Sequence, residues 1–273
     1  MKRRLALMGL IFFLACGVQQ ALGQACTLTI TALNFGTYTS TLLNGTATGK
    51  VTCAGAWTIP FGTGNGVGAT ETVRVMTGTG GATLNYQLFT DAAHTNNWGN
   101  TTGNEGSGTG NATVTIYGQI PAAQYATPGT YTDTMTSATT SFAVSTTVQA
   151  TCTVSATSLV FGNYVGALLN STSTISATCT NTTPYKIGLN AGTATGATVT
   201  NRSMTGPAGS LLHYSLFSDS GHTTNWGNTL GTDTVSKTGT GAVQTLTVYG
   251  QVPAGQYVTP GNYADTITVT LTY

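Results

Sequence analysis

The last eleven positions of the chain, 263–273, read as an alternation. Ile267, Val269, Leu271 and Tyr273 alternate strictly with Thr266, Thr268, Thr270 and Thr272. One face of this stretch is apolar and the other hydroxylated, the period of a half-buried strand. Shorter alternations predict strands over 27–33, 46–53, 57–61, 72–76, 85–90, 112–120 and 130–135, separated by turns rich in Gly and Asn. Beyond the N-terminal leader no stretch keeps an apolar period of 3.6, so the expected class is all-β. Trp57, Ile59 and Phe61 alternate, as do Tyr185, Ile187 and Leu189. Core is the commoner use of such aromatics, ahead of an exposed binding platform. A sandwich that finishes on a long amphipathic strand leaves an outer edge of unpaired backbone and an unfilled piece of core. That edge needs a partner.

The pattern is written twice. Arg74, Met76, Tyr86, Leu88, Phe89, Asp91, His94, Asn97, Trp98 and Gly99 recur 128 residues later, from Arg202 to Gly227. Tyr117-Gly118-Gln119 and Thr127-Pro128-Gly129 return at an offset of 132, and the cysteines at 126. The changing offset places small insertions after Cys179 and after Asn228, in loops. Two tandem domains are therefore expected, over 26–149 and 150–273. They differ where they end. Tyr131-Thr132-Asp133-Thr134-Met135 matches Tyr263-Ala264-Asp265-Thr266-Ile267, but Ser137 and Thr139 then stand where the second copy has Val269 and Leu271. The apolar pattern resumes in the other parity as Phe142, Val144 and Val148. This predicts an extra strand between the domains, able to close the first sandwich in cis.

Composition narrows the setting. Only 5% of the 273 residues are charged, and 36 are Gly. Lys2, Arg3 and Arg4, the apolar run 5–18 and the small residues around Gly23 and Ala25 form an export signal over 1–25. A lipoprotein site at Cys16 is a weaker match, because the preferred Leu is misplaced. Without the three basic residues of the leader, five Lys or Arg face seven Asp or Glu, which gives no electrostatic footprint for nucleic acid. Four cysteines remain, Cys26 and Cys53, Cys152 and Cys179, each pair 27 residues apart. In an exported protein this spacing predicts one disulfide within each half. A metal site is disfavoured, since no CxxC pair or local His accompanies them.

Catalytic signals are weak. Asp91 and His94, repeated as Asp219 and His222, lie in a short Asn-rich stretch that reads as an Asx turn. The glycine runs at 64–68 and 106–110 precede no helix that would hold a phosphate. There is no HExxH and no G-x-S-x-G. Neither an enzyme nor a cofactor is expected.

Paired cysteines, Phe35-Gly36-Thr37-Tyr38 and Phe161-Gly162-Asn163-Tyr164, the Arg-x-Met and Trp-Gly elements, the Tyr-Gly-Gln block and the closing Gly-x-Tyr-x-Asp-Thr together resemble the spore coat protein U domain. Both copies carry the set. The resemblance implies two immunoglobulin-like sandwiches, the C-terminal one incomplete and completed by a donor strand. It further implies a subunit of archaic chaperone-usher pili, exported through the periplasm to the cell surface, where it would serve surface attachment and biofilm formation. Its partners would be a periplasmic chaperone, an outer-membrane usher and a neighbouring pilin joined by β-strand addition. Cleavage near Gly23 or Ala25 leaves no donor segment ahead of Cys26, which resembles the two-domain tip adhesins of such pili. On that reading Ile267, Val269, Leu271 and Tyr273 form the acceptor edge, and Phe142, Val144 and Val148 the cis donor. An unidentified surface or receptor would meet first-domain loops such as 62–68 or 100–111. Two alternatives stand beside it: a secreted coat protein joined by the same edge, and a weaker one, a sugar-binding sandwich with exposed Trp98 and Trp226.

Overall fold

The computed structural model describes residues 26–138 and 140–273. The export signal expected over 1–25, with Cys16, and the position of Thr139 lie outside the described residues. The chain is all-β, with two sandwiches and two separate apolar cores.

The first sandwich contains β1 (Thr27–Ile30), β2 (Leu33–Tyr38), β3 (Leu43–Thr52), β4 (Ala56–Ile59), β5 (Arg74–Thr77), β6 (Thr83–Phe89), β7 (Gly106–Thr109), β8 (Ala112–Ile120), β9 (Gly129–Thr136) and β10 (Ser141–Val148). One ladder runs β1-β3-β8-β6-β5-β9-β10-β2, while β4 and β7 form a separate ribbon. The ladder changes layers at β6, whose first half pairs with β5 and whose second half pairs with β8. That fold-over brings β2 across from β3 and β8. Gly45 and Gly118 make the approach possible, since a Cβ at either would run into the side chains of Leu33 and Phe35.

The second sandwich contains β11 (Cys152–Ala156), β12 (Leu169–Cys179), β13 (Pro184–Leu189), β14 (Arg202–Thr205), β15 (Leu211–Phe217), β16 (Val235–Thr238), β17 (Val243–Val252) and β18 (Val269–Thr272). Its sheets are ordered β11-β12-β17-β15-β14 and β16-β13-β18.

The alternation along the sequence locates most of these strands but misses β2 and the glycine-rich β7. The expected eleven-residue terminal strand is shorter: only β18 is strand, with Val269 opposite Leu189 and Leu271 opposite Ile187. Tyr273 lies beyond it and is 61% exposed. The reason is visible in the first sandwich. There β9 is bonded along its whole length to β10, and to β5 only at Thr77 and Thr132. The corresponding segment 261–268 has only one ladder bridge, on its inner side between Thr205 and Ala264, with one further backbone bond there from the Asn190 amide to the Thr268 carbonyl at 3.2 Å. Likewise β2 takes its ladder bonds from β10, in parallel, and the matching residues 159–164 form no strand. A strand pairing on one side at one residue has too few ladder bonds to hold an extended segment in register.

Candidate functional site

The site is defined by a difference between two copies of one surface. In the first sandwich Leu33, Phe35, Tyr38, Ala126, Tyr131 and Met135 are all buried. Their equivalents, Leu159, Phe161, Tyr164, Val258, Tyr263 and Ile267, are only half-buried and line an apolar groove along the edge of the second core. Val269 and Leu271 continue that line, also half-buried. The covering element in the first sandwich is β10, which lies between β9 and β2 with Phe142, Val144, Thr146 and Val148 facing inward. Phe142 stands opposite Met135 and packs on Phe61 with ring centroids 5.3 Å apart.

The groove of the second sandwich keeps its shape without a covering strand because its lining is hydrogen-bonded from below. The Tyr164 hydroxyl donates to the Pro253 carbonyl at 2.7 Å and accepts from the Gln256 amide at 2.9 Å. Tyr38 makes the same pair with Pro121 and Gln124. The Tyr214 hydroxyl donates to Asp265 at 2.7 Å, as Tyr86 does to Asp133. Burial, followed by the neighbouring carboxylate, pushes both of these phenols well above the ordinary tyrosine range, so they stay neutral donors. Arg74 and Arg202 are fully buried beneath the same region. Each guanidinium donates to four backbone carbonyls: those of Phe61, Gly62, Glu71 and Trp98 for Arg74, and of Leu189, Asn190, Val199 and Trp226 for Arg202. Desolvation lowers both arginine pKa values, while the carbonyls replace the water each cation has lost. The disulfides link Cys26 to Cys53 and Cys152 to Cys179, one within each sandwich.

Four residues escape a reading based on apolar parity. Thr146 is polar, yet it is buried and its hydroxyl donates to the Gly36 carbonyl at 2.9 Å, where the β10–β2 register shifts. Its parity with Phe142, Val144 and Val148 is the signal that would have found it. Leu159, Phe161 and Tyr164 belong to the groove although the sequence marks only Phe161 and Tyr164, and those as a motif; their match to buried β2 residues reveals the role.

The other candidates fall elsewhere. Trp98 and Trp226 are 2% and 1% exposed, and their indole N–H groups donate to the carbonyls of Ile59 and Ile187. They cannot stack on a sugar, which removes the basis of the carbohydrate alternative: the Trp-Gly element recurs because it builds the core. The Asp91 carboxylate accepts from the Thr95 and Asn96 amides, and Asp219 from those of Thr223 and Thr224, so each acid closes its own turn. These bonds, that from the Thr224 amide foremost, hold the Asp219 carboxyl down at about 2. Loops 62–68 and 100–111 lie near one another, since the Phe61 amide donates to Gly99 at 2.9 Å and the Gly62 amide to Thr136 at 3.5 Å. Thr136 pairs with Ser141, where β10 begins; β10 ends at Val148, where the chain leaves for the second sandwich. The loops thus occupy the end of the first sandwich opposite the junction. A polar cleft of about 710 Å³, lined in part by Trp57, Asn96, Asn104, Glu105 and Tyr117, opens beside loop 100–111.

In comparison with known proteins, the chain is 33% identical over 128 residues to Protein U of Myxococcus xanthus, covering 42% of this chain and 71% of that protein. Among solved structures it resembles a chain of the CsuC-CsuE chaperone-tip adhesion subunit pre-assembly complex from the archaic chaperone-usher Csu pili of Acinetobacter baumannii, with a TM-score of 0.56. The identity there is 17%, and the match covers 91% of this chain and 100% of the other. The Spore Coat Protein U domain model matches twice, over residues 13–137 and 138–270, the second match beginning just ahead of β10. With both copies spanning nearly the whole sequence, the chain belongs to the spore coat protein U domain family.

Proposed function

We propose that this chain is the tip subunit of a chaperone-usher pilus. Its first sandwich is closed by its own β10. Its second offers an acceptor groove to a donor strand, first from a periplasmic chaperone and then, at an outer-membrane usher, from the next pilin. One observation carries the reading: the same apolar positions are buried under β10 in the first sandwich and half-exposed in the second. The likeness to a chain of a chaperone-tip subunit complex agrees with it in fold. The distal loops 62–68 and 100–111 are where an attachment surface would be met, for adhesion and biofilm formation on the cell exterior. Val67, 92% exposed, is an apolar side chain at one of those tips. Nothing in this function calls for a catalytic group or a cofactor.

The chain supplies its own test reagent, because β10 already fits the matching groove. A peptide of residues 140–149, fused after Tyr273 through a flexible linker, should turn an aggregating protein into a soluble monomer with a raised melting temperature for the second sandwich. A wild-type chain that is monomeric, cooperatively folded and indifferent to this peptide would rule the reading out. The 33% identity with Protein U favours one second reading, a coat component assembled through the same open edge. Chaperone and usher genes beside this one support the pilus, and their absence the coat.

A further inference from the structure

The chain contains one finished junction between consecutive sandwiches, and half of a second. In the finished one, β10 ends at Val148 and the second sandwich begins at Cys152, so three residues separate a strand that fills one domain from the first strand of the next. Those residues are not slack, since the Thr180 hydroxyl donates to the Gln149 carbonyl at 3.1 Å and the Thr151 amide donates to that hydroxyl at 3.0 Å. Where β10 leaves the groove, Tyr125 of the first sandwich lies against Gly241 of the second. A Cβ at Gly241 would collide with the tyrosine ring. Gly241 also has φ +79°, a left-handed turn suited to glycine, and its amide is bonded to the Cys179 carbonyl at 2.9 Å. Tyr125 is 51% exposed as a result of this contact.

The second sandwich repeats the acceptor half of that contact, the side that carries Tyr125, in detail. Ala123-Gln124-Tyr125 corresponds to Gly255-Gln256-Tyr257. Gln124 bonds across to the Asn85 amide and carbonyl, and Gln256 to those of His213. The Ala123 amide donates to the Ser40 carbonyl at 2.8 Å, and the Gly255 amide to the Gly166 carbonyl at 2.9 Å. Tyr257 is therefore held as Tyr125 is, at the exit of the groove, yet it is 98% exposed. Beside the Gly166 anchor, Val165 replaces Thr39 and is 84% exposed. A preformed turn presenting two bare apolar side chains at this position is the unfilled copy of an interface the chain already makes.

We infer that Tyr257, with Val165, docks the body of the next subunit, a sandwich of this family led by its own donor strand and carrying a glycine turn equivalent to that at Gly241. The inference rests on the acceptor reading of the groove and adds to it a second point of contact, which fixes the angle between subunits where a strand alone would leave them hinged.

Two fusions separate the claims. The first is the full chain followed by a flexible linker and residues 140–149. The second is the full chain, the linker and residues 140–273, with a further 140–149 closing the added domain and Tyr257→Phe in that domain to distinguish its peptides by mass. Hydroxyl-radical labelling read by mass spectrometry reports the exposure of the original Tyr257. Both fusions should raise the melting temperature of the original second sandwich. Only the second should lower Tyr257 labelling, about twofold, from the exposure of Tyr257 toward the 51% of Tyr125. Gly241→Leu in the added domain should restore the labelling without undoing the thermal gain. If neither fusion raises the melting temperature, the groove reading fails and this inference with it. If both do and Tyr257 labels equally in each, the groove reading stands and the docking contact is refuted.

Discussion

Phe142→Ala is the substitution that most directly weighs what β10 contributes to the first sandwich. Phe142 is 5% exposed, faces Met135 across the ladder, and packs on the fully buried Phe61. Truncating a buried Phe to Ala costs about 3–5 kcal/mol in lost transfer energy and residual cavity. Whole domains hold only about 5–15 kcal/mol, so this one side chain should carry a large fraction of the stability of its sandwich. For a domain of this size the loss corresponds to a fall of about 10–20 °C in melting temperature. Scanning calorimetry on the chain extended by residues 140–149, so that both sandwiches are closed, should resolve it as a shift of the first-domain transition alone. Thr147→Ala, on the exposed face of β10, provides the control and should move the same transition by less than about 0.5 kcal/mol. Equal effects from the two substitutions, or a Phe142→Ala shift below about 1 kcal/mol, would show that β10 lies on the sandwich without completing it.

Other perturbations test the frame beneath the groove. Arg74→Lys keeps the charge but replaces a planar fork bonded to four carbonyls with a single ammonium, and should cost roughly 2–4 kcal/mol in a denaturant titration; a change within error would remove the argument from the buried guanidinium. Replacing Cys53 with Ser opens a loop whose ends are 27 residues apart, for a predicted loss of about 3–4 kcal/mol read from the guanidinium midpoint, and peptide mapping that recovered a Cys26 to Cys152 link would contradict the pairing. The Asp219 carboxyl should titrate at about 2 by NMR, because the folded state lowers its pKa from 3.8. With that sign, its contribution to the turn is whole above 3.8 and is lost as pH falls through about 2; a midpoint at or above 3.8 would refute the turn-closing role.

Sheet class and domain number are legible in the sequence because both rest on local periodicity. Alternation at Trp57, Ile59 and Phe61 survives in the fold as a run ending in buried Ile59 and Phe61, and the repeat of Arg74 and Trp98 as Arg202 and Trp226 recurs as the same buried bonds. The extent of the terminal strand is not legible, since it depends on a neighbour across the edge. The residues of 261–268 match those of β9 closely, yet only β9 has β10 beside it. The roles of Leu159, Phe161 and Tyr164 are hidden for the same reason: their partner lies on another element, and no local pattern records it. Thr146 is missed because an inward hydroxyl that meets a carbonyl at a register shift looks, in sequence, like a surface residue.

A segment of eight residues therefore separates two near-copies of one fold, and the way it is attached determines how each behaves. A short connection ties β10 to β9, with the Ser137 amide bonded to the Thr140 carbonyl at 2.8 Å. Closing the first groove is thus an intramolecular step, at the millimolar effective concentrations typical of short tethers, and no dilution reverses it. The second groove has the same lining, but any strand supplied by another chain must bind by mass action, so its apparent stability rises with the logarithm of donor concentration over the dissociation constant. Two melting transitions follow from this arrangement, one independent of donor concentration and one that rises with it. The first should hold its temperature across a titration of the 140–149 peptide while the second climbs without a plateau until the peptide itself aggregates. Motion of both together would mean that the sandwiches share one cooperative core, contrary to the two separate clusters found. On the proposed function, the open sandwich would exchange one strand donor for another at its groove while the closed one, filled by β10, would hold the distal loops 62–68 and 100–111 in place.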